Sequence, residues 1–351
     1  MIQLLDNSKI LKELVEFHNS AISFGDEKSY DVEVIELNVD KLTISDCPTV
    51  FVDIESEYGL YFGATDRISY NEAKLCRPNS IFLTTFLSDN FSDMCFYPHD
   101  WIKVSYLYRD NINIGKKQNF KSKPGLSLLG GWTPSRTEIF KKLKEQNDSI
   151  AIAYYPRQSG DWDNTHSDGA YVDPLVSQLD SPEFRKKCIN NNRLFTQNDI
   201  QNKRGIVYSY LIPNKLYTCS DIHFVAETED DIKLKEDGIS YGFYVTEKTV
   251  KSVLSKRPFT LFGCERFLEK MEMLGFETFG DIIDESYDLE PNTHLRHTLS
   301  VESFVDFVKQ DKKTRTLALK KIESRLIRNK KHMQDLYHWT LPALKMIKEI
   351  A

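Results

Sequence analysis

The sequence predicts an α/β protein of two domains, on three observations. Its 351 residues exceed what one hydrophobic core usually organises. Its second half alternates short β-branched or aromatic runs with amphipathic stretches, the pattern of a largely parallel sheet with crossover helices. Between the halves, RDNINIGKKQNFKSKPG at 109–125 is polar, rich in lysine and closed by Pro-Gly, as linkers are. These signals place an N-terminal domain over 1–118, a linker over 119–125, a C-terminal domain over 126–330, and a helical segment over 331–351 that packs back on the N-terminal domain.

The elements follow in order. MIQLLDNSKILKELVEFHN has the spacing of an amphipathic helix and none of the basic-then-apolar layout of an export signal. DVEVIELNV, TVFVDIE, LYFGA, SIFLTTF, MCFYP and IKVSYLY then read as strands, with YNEAKLC as a helix among them. The second domain opens with LSLLGGWTPSRTEIFKKLKEQ. This is an apolar strand, Gly130-Gly131, a Thr133-Pro134 start signal, and a helix with Ile139, Phe140 and Leu143 on one face. SIAIAYY, GIVYSYLI, IHFVAET, GFYVTEK and RPFTLFG continue as strands, and ERFLEKMEMLG as a helix closed by Gly275. SGDWDNTHSDGAYVDPLVSQLDSPEFRKK is polar before it turns helical, an insertion expected over a functional edge. FGDIIDESYD gathers Asp284, Glu285 and Asp288 after a strand, either as helix-start acids or as the wall of a pocket. HMQDLYHWTLPALKMIKEIA is helical around Pro342.

Composition excludes several classes. An apolar fraction of 40% with 12% aromatics belongs to a folded chain, and no apolar run approaches the roughly 20 residues that cross a bilayer, so no membrane span is expected. The six cysteines lack any C-x-x-C pair, which argues against a zinc site or a disulfide framework and for a reducing cytoplasm. The net charge of −6 is unevenly spread. From Lys309 to His332, ten Lys and Arg face only Asp311 and Glu323, a local +8 that leaves −14 elsewhere. Leu319, Ile322 and Leu326 recur there at helical spacing, so the run is the solvated face of a helix or a contact for a polyanion, with Lys320, Lys321, Arg325 and Arg328 as the candidates.

In open α/β sheets, ligands bind beyond the carboxyl ends of the strands, where helix N-termini present free N–H groups. Gly130 and Gly131 lie at such an end, and Arg136 falls in the first turn of the helix that follows, placed to fork onto phosphate oxygens. Glu247 and Lys248 occupy the same kind of junction further on. A carboxylate there suits ribose hydroxyls and an ammonium suits a departing diphosphate, which together describe a nucleoside diphosphate site. Each feature alone has a plainer reading: Gly-Gly as a tight turn, and a glutamate as a partner for the helix dipole.

IHFVAETEDD, GFYVTEKTVKSVLSKRPFTLFG and LGFETFGDIIDESYD together resemble the C-terminal half of glycosyltransferases of the GT-B architecture. In particular they are similar to the phage and bacterial proteins distantly allied to the α-1,3-fucosyltransferases. The resemblance spans residues 126–288 and implies two Rossmann-like domains facing a cleft, with the acceptor side on the first and nucleotide-sugar binding on the second. In its V-T-E-K segment, which includes Thr246, it implies Glu247 on the ribose and Lys248 on the diphosphate, with Glu227 in the donor pocket and Arg136 on the donor phosphates. The insertion at 161–180 departs from the family pattern. The co-substrate implied is a UDP- or GDP-sugar, with no metal required because Arg136 and Lys248 meet the diphosphate charge.

An inverting reaction needs a general base from the opposite domain, and Asp53 or Glu55, at the end of the apolar TVFVD run, are the candidates. The same acids define a rival, a metal-dependent transferase acting on a surface glycan in which Asp53 and Glu55 hold Mn²⁺ or Mg²⁺, with Asp161 and Asp163 as a second D-x-D. Another rival is a module that binds a nucleotide sugar without turnover. The chain's richness in Lys, Asn and Ile and its phage-like motif point to a viral enzyme working in a host cytoplasm, with 5-hydroxymethylcytosine in double-stranded DNA as an acceptor.

Overall fold

The computed structural model describes residues 1–5, 11, 18, 21–25, 30–36, 42, 44–53, 70–84, 94–98, 101–102, 104–105, 123–130, 134–146, 148–155, 171–179, 214–227, 243 and 245–351. Two compact units divide the chain: Met1–Lys103, Ile232–Tyr244 and Asp335–Ala351 form the first, Val104–Asp231 and Val245–Gln334 the second.

The first unit is built on a parallel sheet of β1 (Ile2–Leu5), β2 (Ile22–Phe24), β3 (Val32–Glu36), β4 (Thr49–Asp53), β5 (Ser80–Thr84) and β6 (Met94–Phe96), in the order β2-β1-β3-β4-β5-β6. Helix α1 (Tyr70–Cys76) precedes β5. Val50, Phe51 and Val52 are all buried, as in a central parallel strand covered on both faces, and Phe51 stacks on Phe82 at 5.0 Å. The C-terminal helix, Leu336–Ile350, runs through Pro342 and packs against β5 and β6. Trp339 meets Trp101 edge-on at 5.1 Å, and Thr340 Oγ1 lies 2.9 Å from His18 Nε2. Burial, and then Lys348, hold the His18 imidazole below its usual pKa.

Two sequence expectations are corrected here. Residues 2–5 are not the start of a helix but an internal strand, with Ile2 paired to Ile22 and Leu4 to Val32. Pairing on both sides outweighs a helical periodicity that four residues cannot enforce. IKVSYLY is not a strand where it is described: Trp101, Ile102, Val104 and Ser105 are helical and buried. Burial at positions i, i+1, i+3 and i+4 is one face of a helix, and the β-branched alternation gave the wrong period. The LYFGA run lies outside the described residues.

The second unit holds β7 (Gly125–Gly130), α2 (Pro134–Lys144), β8 (Ile150–Tyr155), β9 (Tyr171–Val172), α3 (Pro174–Leu179), α4 (Asn214–Thr218), β10 (Ile222–Ala226), α5 (Glu247–Leu254), β11 (Phe259–Phe262), α6 (Phe267–Met273), α7 (Thr293–Lys309) and α8 (Lys312–Met333). Its sheet runs β11-β10-β7-β8-β9, parallel except for the short edge strand β9. Counted from β7, this is the order 3-2-1-4-5, compatible with a Rossmann-like fold. Gly125 opens β7 because a Cβ there would lie 2.8 Å from Phe304 and 3.0 Å from Val308, so the missing side chain lets α7 sit close on the strand. GIVYSYLI lies outside the described residues. Of GFYVTEK, the described residues Phe243 and Val245 are irregular where a strand was expected, at the point where the chain passes from the first unit back to the second.

Candidate functional site

The second sheet reverses its winding between β7 and β10, and ligands of open α/β sheets bind where such a reversal leaves a crevice at the carboxyl ends. Gly130 ends β7 and Glu227 follows the last residue of β10, so the reversal brings together two residues about a hundred positions apart. Arg136, buried in the first turn of α2, closes the gap: its Nη2 donates to the Glu227 carbonyl oxygen at 2.7 Å. A guanidinium taken out of water at this end of the sheet is costly unless it is hydrogen-bonded, and the carbonyl provides one such bond.

The Glu227 side chain turns to α5. It is fully buried, and its carboxylate accepts from the hydroxyls of Thr246 and Thr249 and from the Thr246 backbone N–H at 3.3–3.4 Å. Thr246 is the N-cap of α5, with extended backbone, and its Oγ1 accepts from the Lys248 backbone N–H at 3.2 Å and from Lys248 Nζ at 3.2 Å. One carboxylate therefore fixes the first turn of the helix through two threonines. Burial pushes the Glu227 carboxyl above its usual pKa, against the opposing pull of Lys248 and the two hydroxyls.

Glu247 and Lys248 are the partly exposed members of this turn, with side chains 16% and 23% accessible, and Lys248 Nζ lies 3.7 Å from Glu247 Oε1. Burial opposes the Glu247 charge, but Lys248 and then Lys251 outweigh it and hold the carboxyl below its usual pKa. The arrangement presents a carboxylate, an ammonium and a helix N-terminus at the carboxyl end of β10, while the buried groups beneath are hydrogen-bonded to one another. Of the donor-site residues read from the sequence, the structure thus joins Arg136, Glu227, Thr246, Glu247 and Lys248 in one hydrogen-bonded group, with Gly130 at the end of the adjacent strand. Thr249 is the member that sequence reasoning missed. Its position one helical turn past the N-cap Thr246 was the available signal, because i and i+3 share a face.

Glu227 is placed to position the Thr-Glu-Lys turn, since every carboxylate contact given above is internal. Gly131, Glu55, Asp161 and Asp163 lie outside the described residues, as does the side chain of Asp53, whose backbone ends β4.

The acids of FGDIIDESYD follow turns instead of the predicted strand. Asp288 accepts from the N–H groups of Leu268 (3.0 Å) and Glu269 (3.3 Å) at the start of α6, and Glu285 accepts from Phe279 N–H at 2.8 Å. Burial pushes Glu285 up to about 7. Three of the four predicted basic candidates on α8 are engaged within the unit: Arg325 Nη1 donates to Asp281 at 2.6 Å, Lys321 Nζ sits 3.0 Å from the same carboxylate, and Arg328 Nη2 donates to Glu277 at 2.8 Å, while Lys320 is exposed. The Arg325 hydrogen bond leads in holding Asp281 down to about 2.

No family model, curated protein or solved structure matches this chain.

Proposed function

We propose that the protein is a glycosyltransferase of the GT-B type, moving a sugar from a nucleoside diphosphate to an acceptor hydroxyl. The observation that carries this reading is the joining of Arg136 and the Thr246–Lys248 turn through Glu227 at the point where the second sheet reverses its winding. In this reading the partly exposed Glu247 accepts ribose hydroxyls, and Lys248 with the α5 N-terminus takes the diphosphate. Arg136 adds positive charge behind the turn. The departing diphosphate gains negative charge as the glycosidic bond breaks, and preorganised cations and helix N–H groups stabilise that charge without a metal. Asp53 or Glu55 is the proposed base for the acceptor hydroxyl, and 5-hydroxymethylcytosine in duplex DNA is the first acceptor to try.

The test is a donor panel of UDP- and GDP-sugars, scored for hydrolysis and for transfer with and without hydroxymethylated duplex, together with calorimetry of UDP and GDP on Lys248→Ala. The variant should lose roughly the 1.5–3 kcal/mol of a charge-assisted hydrogen bond. A folded variant with unchanged affinity for the nucleotide that binds the wild type, or a panel in which no donor binds or turns over, refutes the reading.

A further inference from the structure

The pairing of Lys321, Arg325 and Arg328 with Asp281 and Glu277 changes which basic residues α8 offers to a partner. The helix buries Ile322, Leu326, Asn329 and Met333 along one side and packs against α5. Diametrically opposite, Lys313, Leu317, Lys320, Ser324, Ile327 and Lys331 recur at alternating spacings of four and three, which places all six on one outward stripe. Every one of them is exposed, Leu317 at 60% and Ile327 at 50%. The stripe contains no acid. None of its three ammonium groups meets a carboxylate among the described residues. Glu323 lies on the flank, and Asp311 is taken up by capping, accepting from the N–H groups of Lys313 and Thr314.

We propose that this stripe docks the protein on the surface of a bilayer carrying anionic phospholipid headgroups. Two features select that occupant. Three unpaired lysines along about 27 Å of helix call for a negative surface, while the remainder of the chain is strongly acidic, so that the stripe is the part that can approach one. Two aliphatic side chains set between the lysines have no favourable contact on a phosphodiester backbone, whereas the boundary between headgroups and acyl chains accepts both the ammonium groups and the aliphatic tips. A second copy of the same stripe would bring lysine against lysine, which excludes self-pairing. The helix lies on the surface and does not cross it: no helix among the described residues is long and apolar enough to span a membrane. The inference is independent of the donor site.

The experiment is sedimentation of the full chain with vesicles of phosphatidylglycerol and phosphatidylcholine in equal parts, against vesicles of phosphatidylcholine alone, at low and high salt. Partitioning should appear only with the anionic vesicles and should weaken with salt. At roughly fivefold per lysine near such a surface, the triple variant Lys313→Gln, Lys320→Gln, Lys331→Gln should lower the partition coefficient about a hundredfold. Leu317→Ser with Ile327→Ser should lower it as well. All five changed residues are exposed, and the melting temperature reports whether the fold survives. Three results would each overturn the proposal: no partitioning of wild type, a triple variant that partitions equally, or an aliphatic double variant that partitions as wild type while duplex DNA binds through the same lysines.

Discussion

Thr249→Val removes one hydroxyl and keeps the side chain's shape, so it isolates the bond by which Thr249 holds the Glu227 carboxylate. The carboxylate is fully buried, and water cannot replace the lost donor. A hydrogen bond to a charged group contributes about 1.5–3 kcal/mol, and Glu227 Oε1 is left with only the 3.4 Å bond from the Thr246 backbone N–H. The cost falls locally, on the anchoring of α5 to the end of β10. Native-state hydrogen exchange of the α5 amides should therefore accelerate roughly ten- to a hundredfold at pH above the raised pKa of Glu227, with little change in the first unit. The pH dependence supplies a second check. Burial raises the folded-state pKa of Glu227, so its contribution to stability is fully present below the unfolded carboxyl pKa and is lost as pH rises through the raised folded value. The missing hydroxyl matters most to the charged carboxylate. The penalty of Thr249→Val should shrink as pH falls and Glu227 takes up its proton. Unchanged α5 exchange at every pH tested, or a penalty identical across the titration of Glu227, would refute the clamp.

Three other outcomes follow. His223 is held neutral, with Ser252 Oγ 2.9 Å from Nδ1 and the Tyr217 carbonyl 2.9 Å from Nε2, and burial lowers its pKa to about 3. Its ring resonances should not move between pH 5 and 8, and the stability it contributes should be lost only as pH falls from its unfolded value near 6.5 towards 3; a titration near 6.5 by NMR contradicts this. Gly275 ends α6 at φ +92°, and a Cβ there would stand 3.0 Å from His332 Nε2, so Gly275→Ala should cost about 1–2 kcal/mol in urea denaturation, and an unchanged midpoint would refute the requirement for glycine. If Arg136 and Lys248 suffice for the diphosphate, sugar transfer should persist in EDTA; complete loss restored by Mn²⁺ and not by salt moves the reading to the metal-dependent rival at Asp53 and Glu55.

The sequence alone determined the elements whose signals are local. Strands β4, β5, β7, β8, β10 and β11 are largely apolar runs, β3 interleaves its apolar residues with two glutamates, and α2 starts at a Thr-Pro signal. Gly275 marks the end of α6 because only the left-handed backbone region closes that turn. Arg136 was legible as chemistry at a strand-to-helix end, and Glu247 and Lys248 as chemistry at a helix start, although the strand expected before them is irregular where described. What local signals could not carry was partnership. A four-residue run at the N-terminus becomes a strand only because β2 and β3 flank it. Glu227 and Thr249 become one clamp only because β10 delivers the acid beneath the turn that α5 begins. Lys321 and Lys320 are adjacent in the chain, yet the first is held by Asp281 and the second faces solvent. A helix advances each residue by about 100°, and the loop at Glu277–Asp281 reaches only one flank of α8.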